Sequence, residues 1–469
     1  MTFTRPKVVS EDVKLSERAQ ASKVGYNRKA DATGRRLGCD FMNAGTLAGN
    51  DSLRAALRHY DEVRETYLRA LAEHGVEFAP AGSSDAEIAQ LRDELAQRGA
   101  EFRNAGASIR MGWISKACIE CTGNKGSETF STTFRCHRDC YFCFNHNQAD
   151  YDKFVREGCP WEEGLARAAE TYKNGLAVIG LTGGEPLLSF DASIAFLNRA
   201  RELFPEAHKR MYTSGDLLTE DMARALRDAG LQEIRFSVKD FDPEPMQERV
   251  LDAMRLAKRY IPDVMVEMPI IPDTEARMKE LLASFEEIGI RGINMLEFCF
   301  PFHSWDEFAR RGLVVRNPPF DVMYDYGYSG GLPIAGSEQL ALSLMVWAHD
   351  QGLSFGMHYC SLDNKHRSEM RQRNERAAHV HPCFTFDKGD FFLKTAKVFG
   401  PDREVARPVL AIAGCDTMVD SDEEDSTTFP LRYLEFLRGV NVTPAVAYAV
   451  LESDENGSYI QELDLRVVE

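Results

Sequence analysis

The stretch TTFRCHRDCYFCFNHNQ (132–148) carries three cysteines, Cys136, Cys140 and Cys143, in the spacing Cys-x3-Cys-x2-Cys. Thiolates bind soft metals, and an iron–sulfur cube is ordinarily held by one cysteine on each iron. Three ligands on one short loop leave one iron of a cube open, and an open iron is useful where something else must coordinate. Taken by itself the triplet also reads as a zinc site, or as cysteines with no shared role.

The second informative stretch, LTGGEPLL (181–188), ends the next strand-like run with Gly183-Gly184-Glu185-Pro186. Consecutive glycines let a backbone approach a ligand closely. Glu185 supplies an acceptor suited to an ammonium group. A Gly-rich strand-to-helix turn is common alone, but here it follows the triplet by one βα unit. Together the two motifs resemble the radical SAM superfamily over residues 129–300. The resemblance implies that Cys136, Cys140 and Cys143 hold a [4Fe-4S] cluster whose free iron is chelated by S-adenosylmethionine. It implies that Phe142 packs near the adenine and that Gly183, Gly184 and Glu185 hold the methionine amino group. Ser214 (in Thr213-Ser214-Gly215), Ser237, Lys239 and Glu267, on later strands, would contact its carboxylate or ribose.

The chemistry implied is reductive cleavage of S-adenosylmethionine to methionine and a 5'-deoxyadenosyl radical, which abstracts hydrogen from a substrate carbon. The cofactor carries that step, and the protein positions the target. A reductant such as flavodoxin or ferredoxin would deliver the electron. Cys299 and Tyr359 are candidate hydrogen-atom donors near the barrel mouth. The chain shows no extra ferredoxin insert after the triplet, no seven-cysteine C-terminal signature of the SPASM type and no cobalamin-binding N-terminal domain. A small molecule or a peptide side chain is therefore the expected substrate. The competing class is a non-catalytic iron–sulfur or zinc protein, an electron carrier or adaptor.

Cys118 and Cys121, in KACIECTGNKGS, form a Cys-x2-Cys knuckle that needs partners. Cys360 is the best third ligand, with Cys383, His358 and His381 nearby in sequence as further donors, for a zinc or an auxiliary iron–sulfur cluster. Thiols packed in a core are the alternative. The basic stretch 363–378, with Lys365, Arg367, Arg371, Arg373 and Arg376, reads as a solvated helix face or as a receiver of carboxylate, phosphate or acidic peptide.

These residues need a scaffold. Short β-rich runs at 129–135, 176–182, 209–214, 233–239, 263–271 and 292–300 alternate with helical patterns at 190–204, 219–229, 244–260 and 275–288. Such alternation means parallel βαβ units with right-handed crossovers. The expected fold is α/β, a partial (β/α)6 TIM-like barrel with reactive groups at the strands' C-terminal ends. LSFGMHYCS (353–361) is a candidate further strand. A helical hairpin is expected at 51–104, from apolar positions three and four apart. After residue 380 come a strand (FFLKTAKVF), a hairpin turning at Asn456-Gly457 and an acidic loop at 420–428. The expected domains are a helical N-terminal region (1–115), the barrel (116–365) and a small α+β domain (366–469).

Of 469 residues, 56 are basic and 73 acidic, a net charge of -17. That balance weighs against nucleic acid as the main partner. No apolar run approaches the roughly 18 residues of a spanning helix, and the start lacks a secretory apolar core. The expectation is a cytoplasmic protein with no membrane contact. Its eleven cysteines then read as reduced thiols and metal ligands.

Overall fold

Seven parallel strands make the centre of the structure, a computed structural model that describes residues 49–73, 75–123, 125–148, 150–239, 241–322, 331–454 and 457–468. In chain order the strands are β1 (Glu101–Arg103), β2 (Ser108–Met111), β3 (Ser127–Ser131), β4 (Val178–Thr182), β5 (His208–Thr213), β6 (Glu233–Phe236), β7 (Asp263–Ile270), β8 (Gly292–Glu297), β9 (Cys299–Phe300), β10 (Leu332–Pro333) and β11 (Gly356–Cys360). One nine-stranded sheet runs in the order β1-β2-β11-β8-β7-β6-β5-β4-β3. Strands β3 to β8 and β11 are parallel neighbours, while β2 pairs antiparallel with β11. The fold is thus a partial TIM-like barrel, one parallel strand larger than the six expected, because 356–360 joins beside β8.

Helices Phe190–Leu203, Glu220–Asp228, Glu244–Ala257 and Glu275–Ile288 cover the outer face. Thr219 caps the second of these by accepting from Met222 N, and Gly289, at φ +71°, ends the fourth in a left-handed turn. Their apolar stripes (Phe196, Leu226, Met254, Phe285) pack with alternate strand residues Ile179, Met211, Ile234 and Val266 in one core.

The other face of the pleat is charged, unlike the branched apolar layers that usually fill such a barrel. Arg235, 1% exposed, donates to Glu233 Oε1 at 2.6 Å and Ser115 Oγ at 2.9 Å and pairs with Glu267. Glu267 also accepts from Asn294 Nδ2 at 2.7 Å. Tyr212 stacks between the Arg210 and Arg235 guanidiniums, 5.3 and 5.5 Å from its ring centre. His358 Nε2 lies 2.8 Å from Ser108 Oγ, and burial pushes its pKa down to about 3. Glu267 lies on the strand expected, within β7, engaged by Arg235 and Asn294. One expectation is corrected here. Tyr359 shares with Met357 the outward face of β11; it is fully buried in the core, away from the barrel mouth.

The chain divides into two compact units: Phe78–Asn317 with Ser329–Leu362, and the remainder. This differs from the division expected. Helix α1 (Asp51–Glu73) belongs with the C-terminal unit, where Leu53, Ala56, Leu57 and Tyr60 pack on Phe399, Ala445 and Leu465. Helix α2 (Asp85–Gln97) belongs with the barrel unit. The first 48 residues of the helical N-terminal region lie outside the described residues.

The C-terminal unit holds β12 (Thr385–Phe386), β13 (Leu393–Phe399), β14 (Val419–Ser421), β15 (Ser426–Phe429), β16 (Ala445–Asp454) and β17 (Gly457–Val467) in an antiparallel sheet. Gly457 pairs with Asp454 as the first residue of β17, and Asn456 lies outside the described residues. The acidic run expected as a loop is the β14–β15 hairpin, with Asp425 on Arg403 and Glu424 on Lys397. The basic stretch is a helix (Leu362–Ala377) whose face is not solvated. His366, Arg367, Arg371 and Asn374 are buried, and Asn374 bonds both Phe391 O and Leu451 N.

Replacing Arg235 with Met leaves Glu233 and Glu267 buried without their cation, so unfolding in urea should show a loss of about 3–5 kcal/mol. Native His358 stays neutral down to about pH 3, whereas in the unfolded chain it protonates near 6.5. The unfolded state binds more protons across that window, so stability falls as pH drops from about 6.5. Urea melts of His358→Gln at pH 7, 6 and 5 should show a shallower decline than wild type.

Candidate functional site

Cys136, Cys140 and Cys143 lie on the loop that leaves the C-terminal end of β3, where a parallel sheet gathers reactive groups. The Cys143 N–H donates to Cys140 O at 3.0 Å, turning the loop back on itself. Cys136 Sγ accepts the Arg138 N–H at 3.4 Å. Burial pushes all three thiols up, Cys140 to about 11; Cys140 feels Cys143 and Cys136 as neighbouring charges, and Cys143 feels Cys136. Lys239, 6% exposed and bonded through Nζ to Ser237 O at 3.0 Å, pulls all three down. Cys159, the next cysteine along the chain, responds to burial alone. The loop therefore presents three thiols within the field of a buried cation, Lys239. Binding a metal there requires the loss of their protons.

The glycine motif is locked to this loop. Gly184 N donates to Thr133 O at 2.8 Å, and Glu185 N donates to Arg135 O at 2.9 Å. A Cβ on Gly184 would sit 2.2 Å from Arg135 O, and one on Gly183, where φ is +117°, 2.2 Å from Thr133 O. The glycines thus admit the backbone of the cysteine loop; the sequence reading assigned that space to a ligand. Asn145 Nδ2, just past the triplet, donates to Gly183 O at 2.5 Å.

Glu185 is 1% exposed, and its carboxylate is used within the fold. Oε1 accepts from Leu187 N at 3.1 Å and Thr213 Oγ1 at 2.7 Å; Oε2 accepts from Ser214 N and lies 2.7 Å from Ser214 Oγ. Leu187 N, Thr213 Oγ1 and Ser214 N take three of the roughly four acceptor positions of a carboxylate, and the side chain braces the end of β4 against the end of β5. Ser214 is that brace's partner, and Ser237 N is bonded to Thr213 O at 2.9 Å.

Phe142 is half-buried in an aromatic cluster with Tyr141, Phe241 and Phe298, at centroid distances of 5.1, 6.0 and 5.5 Å. Phe298 and Phe300 both contact Phe308, so Cys299 between them lies on the opposite face of the strand, buried. The structure does not bring the second metal set together. Cys118 Sγ is 3.5 Å from Arg235, Cys121 is exposed at the end of α3 (Lys116–Glu120), and Cys360 is buried on β11 beside Ser361 O. The Cys383 thiol donates to Thr417 O at 2.8 Å. Among the described residues no group of three or more His, Cys, Asp and Glu side chains is arranged to hold a metal ion, the triplet's thiols included.

Four residues of the site went unread in the sequence. His137 and Arg138, inside the triplet, meet Asp216 and Asp242, just past β5 and β6. Isolated acidic residues after strands carry no signal of their own; only the fold brings them to the loop.

Residues 130–285 match the family model described as the Radical SAM superfamily. A protein of Methanocaldococcus jannaschii named as a glycyl-radical enzyme activating enzyme is 28% identical over 268 residues, 55% of this chain and 66% of that protein. A GTP 3',8-cyclase of Aliarcobacter butzleri is 26% identical over 187 residues, 38% of this chain and 56% of that protein. Streptococcus suis SuiB bound to its precursor peptide SuiA aligns with a TM-score of 0.36 at 13% identity, over 57% of this chain and 51% of that one. The chain spans less than two thirds of the length of each of these proteins. With the triplet, the glycine motif and the parallel barrel in place, residues 130–285 carry a radical SAM domain. Proteins of that superfamily use a [4Fe-4S] cluster and S-adenosylmethionine. No helix among the described residues is long and apolar enough to cross a membrane.

Gly184→Ala forces its new methyl group against the Arg135 carbonyl. The expected result is a loss of about 1–3 kcal/mol in urea unfolding, as for an overpacked core, with reduced iron uptake on reconstitution.

Proposed function

We propose that this chain is a radical SAM enzyme in which Cys136, Cys140 and Cys143 bind three irons of a [4Fe-4S] cluster. The observation that carries the reading is the backbone lock between the Gly183–Glu185 strand end and the loop bearing the three thiols. Three thiols on one loop suit a cube with one iron left for S-adenosylmethionine. Bound together, cluster and S-adenosylmethionine supply reductive sulfonium cleavage and hydrogen-atom abstraction from carbon.

The residues of the chain supply position and environment. Lys239 presents a buried ammonium to the thiols, placed to offset the negative charge that builds up when they deprotonate around iron. The same ammonium suits the carboxylate of S-adenosylmethionine. Phe142, in its aromatic cluster, offers a flat apolar face for a nucleobase. The end of β4, with Gly183, Gly184 and the Glu185 carboxylate, which has three donors on its roughly four acceptor positions, is the place to receive an ammonium. The substrate belongs to the small-molecule or peptide class, and a flavodoxin or ferredoxin is the reductant.

The test is anaerobic reconstitution with iron and sulfide, followed by dithionite reduction and assay for 5'-deoxyadenosine. Wild type should take up about four irons per chain and release 5'-deoxyadenosine from S-adenosylmethionine. Cys140→Ser should do neither, while Cys118→Ala/Cys121→Ala should match wild type in iron content. A wild-type protein that holds only zinc, or a four-iron cluster that never cleaves S-adenosylmethionine, would return the chain to the non-catalytic class.

A further inference from the structure

We propose that Asp216 and Asp242 are positioning residues that clasp the cysteine loop through His137 and Arg138, setting how firmly it holds its cluster. The inference rests on the cluster-binding reading above and extends it to residues outside both motifs.

Backbone bonds secure the loop up to Arg135 and close the turn from Cys140 to Cys143. Between these two points, two side chains tie the loop to the neighbouring strand ends. His137 Nε2 lies 2.8 Å from Asp216 Oδ2. The Arg138 guanidinium pairs with Asp242 and approaches Asp216 at 3.8 Å. The side chains of Arg138, Asp216 and Asp242 are only 10%, 5% and 8% exposed, so these are not screened surface pairs. Breaking a buried pair leaves an uncompensated charge, which gives the clasp leverage over a loop with no regular structure of its own.

Asp216 also links the loop to the glycine motif. Its Oδ1 lies 2.6 Å from Ser214 Oγ, the same hydroxyl that lies 2.7 Å from Glu185 Oε2. One hydroxyl carries one proton and can donate to one of these carboxylates at a time. The cysteine loop and the glycine-bearing strand end thus share a polar bridge beside their backbone lock. Carboxylates from two successive strand ends, after β5 and β6, close on adjacent residues of the loop. A loop held from two sides keeps its thiols in one arrangement, which is what a cube with a single open iron requires.

The experiment compares wild type, Asp242→Ala, Asp216→Asn and Asp242→Glu. Hydrogen–deuterium exchange of the iron-free proteins follows the peptide 132–148, and iron loss to a ferrous chelator follows the reconstituted ones. Asp242→Ala and Asp216→Asn should exchange faster across the loop and lose iron at least about tenfold faster. Asp242→Glu keeps the charge and should restore iron retention to within about twofold of wild type. The reduced cluster's electron paramagnetic resonance signal, with and without S-adenosylmethionine, should broaden in Asp216→Asn. Wild-type exchange and iron loss in both charge-removing variants would overturn the clasp, as would Asp242→Glu behaving like Asp242→Ala. A wild type that never takes up iron would instead sink the cluster reading, and the exchange measurement would still decide whether the carboxylates hold the loop.

Discussion

A contact between two pieces of backbone underlies the site. The carbonyls of Thr133 and Arg135 receive the N–H groups of Gly184 and Glu185, at a distance that leaves no room for a β-carbon on either glycine. This contact joins the end of β3 to the end of β4 and so fixes where the three thiols stand relative to the next strand. The Glu185 carboxylate then ties β4 to β5, and the Thr213 carbonyl ties β5 to Ser237. Each parallel strand end is joined to the next by short polar links, and Lys239 stands at the end of the series, facing the thiols. The geometry of the mouth is thus accumulated strand by strand.

The barrel beneath the mouth is built on a different principle. Its outer face packs apolar side chains against helices, as strand alternation dictates. Its inner face neutralises charge: Arg235 lies between two glutamates, with a tyrosine ring stacked on it and an asparagine donating to the same Glu267 oxygen. A buried ion set of this kind contributes little net stability compared with apolar packing, yet it tolerates few rearrangements because every partner is committed. It also leaves the mouth, where exposure rises and the aromatic cluster begins, as the place for chemistry.

Much of this plan was legible in the sequence, for physical reasons that can be named. The strands from 176 to 297 stood out because each is a short β-branched or apolar run flanked by helical periodicity, and their observed bounds differ by only a few residues. The three cysteines stood out because their spacing is local. What could not be read was everything set by non-local pairing. The roles of Glu185 and Glu267 depend on which strand lies beside them, and alternation alone cannot say that the first braces β5 or that the second faces Arg235. Tyr359 was misplaced for the same reason, since moving one residue along a strand changes the face. The helix at 362–377 looks solvent-facing by composition, but its polar residues are buried by partners far away in sequence. Likewise α1 and α2 share one period, yet fold into separate units.

The raised thiol pKa values of the loop bear on how the protein survives without its metal. Thiolate, not thiol, attacks disulfides and oxidants, and a thiol held protonated at neutral pH reacts slowly. Burial keeps Cys136, Cys140 and Cys143 in that state while the loop is empty. Three cysteines within eight residues would otherwise be well placed to cross-link in air. Thiols held protonated at neutral pH react slowly, so the loop is least reactive at the position that the proposed function makes the reactive centre.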